Sequence, residues 1–233
     1  MLIRKFLAII GVESDNTSHT EKAISIAGGF LGIFLVLWIS LHYAGMQGAA
    51  LLVASMGSSA VLLFAVPHST FAQPWPLLGG HVICALIGVV CAKTFSTPLL
   101  AAPLSVALSI AAMRYWRCIH PPAGGTALVP VIGGAEVYAL GYQFALTPVL
   151  LNAFILMSVA IAVNYAFPWR RYPAYFTVQA DNNNARESDE PCKLSHDDIA
   201  YAMGKIGSYL DINEEDLAKI YALAAKHAQR TSE

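Results

Sequence analysis

Residues Ala23–Tyr43 read AISIAGGFLGIFLVLWISLHY, twenty-one positions without a formal charge. As a helix rising about 1.5 Å per residue, this stretch is roughly 30 Å long, the thickness of a bilayer's hydrocarbon core. The pattern continues on its C-terminal side. From Ala23 to Phe167, a run of 145 residues, only Lys93, Arg114, Arg117 and Glu136 are charged. The whole chain of 233 residues is 12% charged, against about 25% for a soluble domain. Four charges cannot clothe the surface of a soluble domain of that size. The chain therefore reads as a polytopic membrane protein, not as a secreted mini-protein, a nucleic-acid binder or a cytosolic enzyme. The polar tail is acidic: Ala180–Glu233 holds 6 basic and 11 acidic residues. No basic face suited to a phosphate backbone is present, so no nucleic-acid partner is expected.

Four further apolar runs follow the first: Ala49–Pro67, Leu77–Ala92, Leu99–Tyr115 and Gln143–Phe167. A sixth segment, Pro121–Leu140, is apolar but carries Pro121, Pro122, Gly124, Gly125, Pro130, Gly133 and Gly134. That content breaks a helix, and broken backbone at membrane depth needs protein or a cavity around it. If the segment crosses, Arg4, Lys5, Lys22, Arg114, Arg117, Arg170 and Arg171 share one side and only Lys93 takes the other. This split matches the positive-inside rule with both termini cytoplasmic. The fold class is thus all-α: a helical membrane bundle of about six spans, compatible with a 3+3 inverted repeat of broken helices. The division is 1–22 for an N-terminal cytoplasmic segment, 23–176 for the transmembrane domain and 177–233 for a polar linker and a cytoplasmic helical tail.

In that tail, Ser195 with Asp198 forms a capping pattern, Ile199, Met203 and Ile206 share one face, and Gly207 stops the helix. Asn213 is placed to cap a second helix. Met1–Val12 is apolar but runs into polar residues, not a cleavage site for a signal peptide. Cys84, Cys91 and Cys118 lie in apolar runs and read as small buried hydrophobes.

Two stretches could carry chemistry. Gly57-Ser58-Ser59-Ala60-Val61-Leu62 and Gly124-Gly125-Thr126-Ala127-Leu128-Val129 share one form, 67 residues apart. Small residues of this kind also serve simply to bring helices close. The functional reading has each motif interrupting a helix. Two half-helix N-termini then face each other at the membrane midplane, and their N–H groups hold a small anion with the hydroxyls of Ser59 and Thr126. His81, inside the third span, is a binding candidate or a hydrogen-bonded core histidine. His68, His120, Pro121, Pro122, Arg114 and Arg117 gather at the cytoplasmic edge. There they gate or attract an anion, or anchor the bundle at the headgroups. Pro121 and Pro122 fix the entry of the next segment. No metal is expected, because His68, His81 and His120 form no local ligand pair with a Cys or carboxylate. A Ser59–His81 dyad lacks a carboxylate partner, so the chain is not expected to be an enzyme, and no cofactor is implied.

The stretch His120-Pro-Pro-Ala-Gly-Gly-Thr-Ala-Leu128 resembles the signature of the HPP family of integral membrane proteins. So do Ala54-Ser-Met-Gly-Ser-Ser-Ala-Val-Leu-Leu-Phe-Ala-Val-Pro-His68, Ala72-Gln73-Pro74 and Leu78-Gly-Gly-His81. The resemblance covers roughly residues 25–170. It implies a compact helical membrane domain, and plant and cyanobacterial members of that family are linked to nitrite transport. Gly125 stands where many members have alanine, and the tail lacks the tandem regulatory domain that some carry. The resulting expectation is a transporter or channel for a small monovalent anion, nitrite in the first instance, in a bacterial inner membrane. Its partners are the lipid bilayer and the anion, with a homo-oligomer open. The alternative is a membrane anchor or sensor signalling through the acidic tail.

Overall fold

In the computed structural model, residues 17–175 are described, with Leu217 and Tyr221. The tail readings at Ser195–Gly207 and Asn213, the apolar N-terminal stretch and Cys192 lie outside them. The account below concerns the unit Ala23–Glu190. The described residues are helical with short irregular links. Four helices are long and apolar enough to cross a membrane: α1 (His19–Ala65), α2 (Pro74–Thr94), α3 (Pro98–Tyr115), and a last one formed by a wide turn, Ala145–Leu150, running into α6 (Leu151–Tyr165). Between α3 and that wide turn lie the shorter α4 (Ala123–Ile132) and α5 (Ala135–Leu140).

α1 is 47 residues long but is not one rod. At Gly45 the backbone takes φ 59°, ψ −175°, a left-handed value that favours glycine. The chain folds back there. The Ser25 hydroxyl donates to the Phe64 carbonyl, and Gly28 and Gly32 both lie against the Phe64 ring. Two antiparallel limbs therefore meet where the sequence suggested two spans and a loop of several residues. On the outer side of the first limb Ile26, Phe30, Phe34 and Trp38 project at four-residue spacing and are exposed. A soluble protein rarely shows so continuous an apolar stripe, and lipid accounts for it.

The broken segment 121–140 now has a course. Thr126 meets His81 in the first half of α2, Gly88 lies against the Ala127 carbonyl, and Gly141 lies beside Lys93 at the end of α2. α4 and α5 together thus run alongside α2 over most of its length. α4 also runs antiparallel to the second limb of α1: Ser55 meets Thr126 and Pro122, while Gly48 meets Gly133 and Val137. The break falls at Gly133-Gly134, where Gly134 has φ 91°. Pro98, like Pro74, starts its helix at a position where a missing N–H costs nothing.

The core is a continuous apolar cluster that includes Val36, Leu52, Met56, Leu63, Leu77, Phe144 and Leu156. A smaller one joins Cys84, Met113, Cys118, Ala123 and Ala127. Cys84, Cys91 and Cys118 are buried free thiols, as the sequence suggested. Two polar ties pin the last helix to α1. Asn152 Nδ2 donates to Ser40 Oγ (2.7 Å) and Asn164 Nδ2 donates to the Leu63 carbonyl (3.0 Å). Arg170, fully buried, closes the C-terminal end of the second limb: its Nη2 donates to the Phe64 carbonyl at 2.6 Å and to Asn164 Oδ1 at 3.1 Å. A cation at a helix C-terminus meets the negative end of the macrodipole and the orphan carbonyls together. Tyr172, also buried, donates to the Ala72 carbonyl (2.8 Å), and burial pushes its phenol well above the usual range.

A side chain at Gly88 would strike the Ala127 carbonyl, whereas one at Gly29 would meet nothing. Gly88→Val is expected to lower stability by about 1–3 kcal/mol through overpacking. Gly29→Val is expected to leave it near wild type. Thermal unfolding of the detergent-solubilised protein compares them.

Candidate functional site

Four buried polar residues converge on one point. Ser59 lies on the buried face of the second limb of α1, His81 on α2, His120 in the link between α3 and α4, and Thr126 in the first turn of α4; all four are fully buried. The Ser59 hydroxyl is 2.9 Å from His81 Nε2 and 2.8 Å from His120 Nε2. The two imidazoles stand edge to face with centroids 4.9 Å apart. His81 Nδ1 is 2.7 Å from Thr126 Oγ1, which is 2.8 Å from Ser55 Oγ. Ser55 Oγ donates to the Pro122 carbonyl at 2.6 Å, and His120 Nδ1 is 2.7 Å from the Phe71 carbonyl. An unmet polar atom inside a membrane costs several kcal/mol, so such a cluster persists only when its members satisfy one another.

Close approach makes the cluster possible. Gly80 lies within van der Waals contact of His120 Cβ and the Cys118 carbonyl, and Gly125 faces Ser55. Pro121 and Pro122 close the link after His120, and three successive carbonyls there accept N–H bonds: Ala123 N to His120 O, Gly124 N to Pro121 O and Gly125 N to Pro122 O. These bonds correct the sequence reading of two facing half-helix N-termini. Gly57-Ser58-Ser59 lies inside an unbroken helical limb, and the interruption in α1 is twelve residues earlier, at Gly45. Gly124 and Gly125 do begin a helix, but their N–H groups are already spent on its first turn. A proline pair with ordinary helical geometry at Pro122 lets the chain turn tightly enough to use them.

The remaining predicted residues separate. Ser58 is exposed and its hydroxyl turns back to the Ala54 carbonyl. Gly57 has open space around it, as has Gly124. Arg114 and Arg117 are exposed at the end of α3 and beyond, and Arg117 has φ 54°. His68 is half-buried after the second limb. Pro121 is exposed and Pro122 buried. His120 is the main relocation: read as a gate at the membrane edge, it is part of the buried cluster. Ser55 was missed: its hydroxyl meets Thr126 and the Pro122 carbonyl, and its own carbonyl lies 3.3 Å from the Ser59 hydroxyl. Its signal was faint, since a serine one turn before Ser59 on the same face is ordinary in a membrane helix.

Beside the cluster is a groove of about 350 Å³ lined by Leu51, Ala54, Ser55, Ser58, Pro121, Pro122, Gly125, Leu128, Val129 and Ile132. Ser55 and Pro122 belong to both groove and cluster. Among the described residues no group of three His, Cys, Asp or Glu is placed to hold a metal ion.

The chain matches the family model for the HPP transmembrane region over residues 14–173. It is 35% identical over 183 residues to a transmembrane protein of Dictyostelium discoideum, covering 75% of this chain and 64% of that one. A second transmembrane protein of the same organism is 32% identical over 160 residues, covering 67% of this chain and 51% of its own length. The chain thus spans between about half and two thirds of the length of these relatives. No solved structure matches.

Thr126→Val keeps the shape but removes the oxygen that His81 and Ser55 both meet. It is expected to cost about 1–3 kcal/mol, the desolvation penalty of groups left unpaired. Thr126→Ser is expected to restore most of that, read as the midpoint of thermal unfolding.

Proposed function

The chain belongs to the HPP family of transmembrane proteins, and from that premise we propose that it moves a small monovalent anion across the membrane, with nitrite the first candidate. One observation carries the reading: the bundle buries a chain of hydroxyls and imidazoles where an apolar packing would be cheaper. An ionisable side chain buried at membrane depth is a functional-site candidate by default. The sign follows from what surrounds them. Glu136 is the only acidic residue from Ala23 to Tyr175, and its carboxylate packs on Gly45. Ser55 and Ser59 lie ten and fourteen residues further along that limb, about 15–20 Å at 1.5 Å per residue. A metal cation would find no charge to offset its own, whereas N–H and O–H donors suit an anion. In this reading the anion, reached through the Ser55 wall of the groove, takes a side-chain donor of the cluster in place of one of that donor's protein partners, and is not held by helix ends.

The topology proposed with it has six crossings: the two limbs of α1, α2, α3, the α4–α5 pair and the last helix. Lys93 and Glu136 then fall on one side, and Arg114, Arg117, Arg170 and Arg171 on the cytoplasmic side. Lys93 sits 5.6 Å and 5.9 Å from the Tyr138 and Tyr142 ring centroids, a setting that suits an interfacial lysine. The antiparallel meeting of the two motif-bearing helices supports an inverted 3+3 repeat. The role is transport and not catalysis.

Purified protein in liposomes tests this. Uptake of nitrite, nitrate or formate is expected above protein-free vesicles, and the double variant Ser59→Ala, Thr126→Val is expected to lose at least tenfold in rate while still folding. Transport of none of the three ions by a folded sample defeats the reading.

A further inference from the structure

The buried cluster is a linear chain with an unusual proton count. Its order is Phe71 carbonyl, His120, Ser59, His81, Thr126, Ser55, Pro122 carbonyl, joined by six contacts of 2.6–2.9 Å. Each contact needs one hydrogen between its two heavy atoms. Both ends are carbonyl oxygens, which only accept. The five groups between them are two imidazoles and three hydroxyls, and each supplies a single hydrogen when neutral. Five hydrogens cannot fill six contacts. A seventh, longer approach, from Ser59 Oγ to the Ser55 carbonyl at 3.3 Å, widens the shortage. With one imidazole protonated, six hydrogens fill six contacts in a single direction from each side.

We propose that His81 and His120, bridged by Ser59, form a binding site for one proton, and that this proton travels with the transported anion. The two loaded forms interconvert without moving a heavy atom. His120 Nε2 gives its hydrogen to Ser59 Oγ as the Ser59 hydrogen passes to His81 Nε2. His120 is left neutral with hydrogen on Nδ1, facing the Phe71 carbonyl, and His81 becomes the cation. Nothing is oxidised or reduced, and no hydrogen leaves the chain. The unloaded form must break one of the six contacts, which gives the element two states for a ligand to bias.

The surroundings say why the proton should be linked to an anion. The titratable groups nearest the pair are thiols: Cys84 is three residues beyond His81 on α2, and Cys118 adjoins Gly80 through its carbonyl. The second limb of α1 (residues 46–65) and α4 carry no titratable side chain. On α3 and the link after it, Arg114, Tyr115 and Arg117 are exposed; Tyr165 on α6 is exposed as well. Lys93 is at the far end of α2, and His68, Arg170 and Tyr172 belong to the links around Thr70–Ala72 and beyond α6. No carboxylate is among them. Among the described residues a protonated pair therefore has no counter-ion beside it, and a bound anion supplies one. Each ligand then raises the affinity for the other by the same factor.

The coupling rests on the anion reading above, but the proton site does not, and the experiment separates them. Protein carrying ¹⁵N-labelled histidine is titrated from pH 9 to pH 5 in nanodiscs, with ring nitrogens assigned through His81→Gln and His120→Gln. The expected result is one imidazolium shared between two rings that change together, with Ser59→Thr retaining the behaviour and Ser59→Ala uncoupling the rings. Rings that titrate independently in the wild type, take up two protons in one step, or stay neutral throughout overturn the site. Wild type alone decides this if Ser59→Ala does not fold. In proteoliposomes holding a pH dye, nitrite entry is expected to bring one proton per anion, and the anion's affinity is expected to rise by about tenfold per unit of falling pH above the site's midpoint. Anion flux without proton entry overturns the coupling and leaves transport standing. A shared imidazolium with no flux of any anion defeats the transport reading and leaves the proton site standing.

Discussion

The Ser59 hydroxyl is the junction on which the bundle's interior turns. A single oxygen meets imidazoles from two other segments, His81 on α2 and His120 before α4. Inside a membrane there is no water to take over a lost partner. The three segments must therefore meet at hydrogen-bond distance, and the backbone is shaped to allow it. Gly80 and Gly88 lie where α2 presses on the link before α4 and on α4 itself, and a methyl group at Gly88 would already strike backbone. Helix association in lipid depends on such packing and on polar ties, because lipid tails are as apolar as leucine.

The same logic governs the C-terminal end of the second limb. A helix that stops near the membrane surface leaves carbonyls unmatched, and Arg170 reaches in to cover that of Phe64 at the end of the second limb. Asn164 accepts from Arg170 and donates to Leu63, so one residue ties the last helix to that end as well. Gln73 does similar work nearby, donating to the carbonyls of Pro67 and Ser69 while its own oxygen accepts from Ala174 N–H. The irregular links are held by side chains that satisfy backbone groups, not by apolar packing alone.

Charge is kept to the margins. Among the described residues the polar groups buried within the spans are hydroxyls, amides and imidazoles, and the fixed charges stand at the ends of helices or are covered there. Such an interior favours a ligand that brings its own charge with a compensating proton over one that needs a fixed counter-ion. The edge-to-face histidines and the hydroxyls beside them supply donors that can reverse direction, which a fixed arginine could not.

The amino-acid sequence by itself determined where the chain is apolar, that Pro121–Leu140 is broken by glycine and proline, and which stretches carry the family resemblance. These are local properties, carried by runs of twenty residues or by spacing along one segment. Ser59, His81 and Thr126 stood out for that reason. Tertiary structure decided the rest. It placed the reversal at Gly45, where one left-handed residue replaces a loop. It used the N–H groups of Gly124 and Gly125 within their own turn, so that they do not face Gly57-Ser58-Ser59 as free helix ends. It drew His120 from the membrane edge into the cluster and brought in Ser55. Ser59 and His120 are 61 residues apart, and Ser55 and Thr126 are 71 apart. Which side chains meet over such separations depends on how each helix is rotated and how closely it packs, and hydropathy records neither.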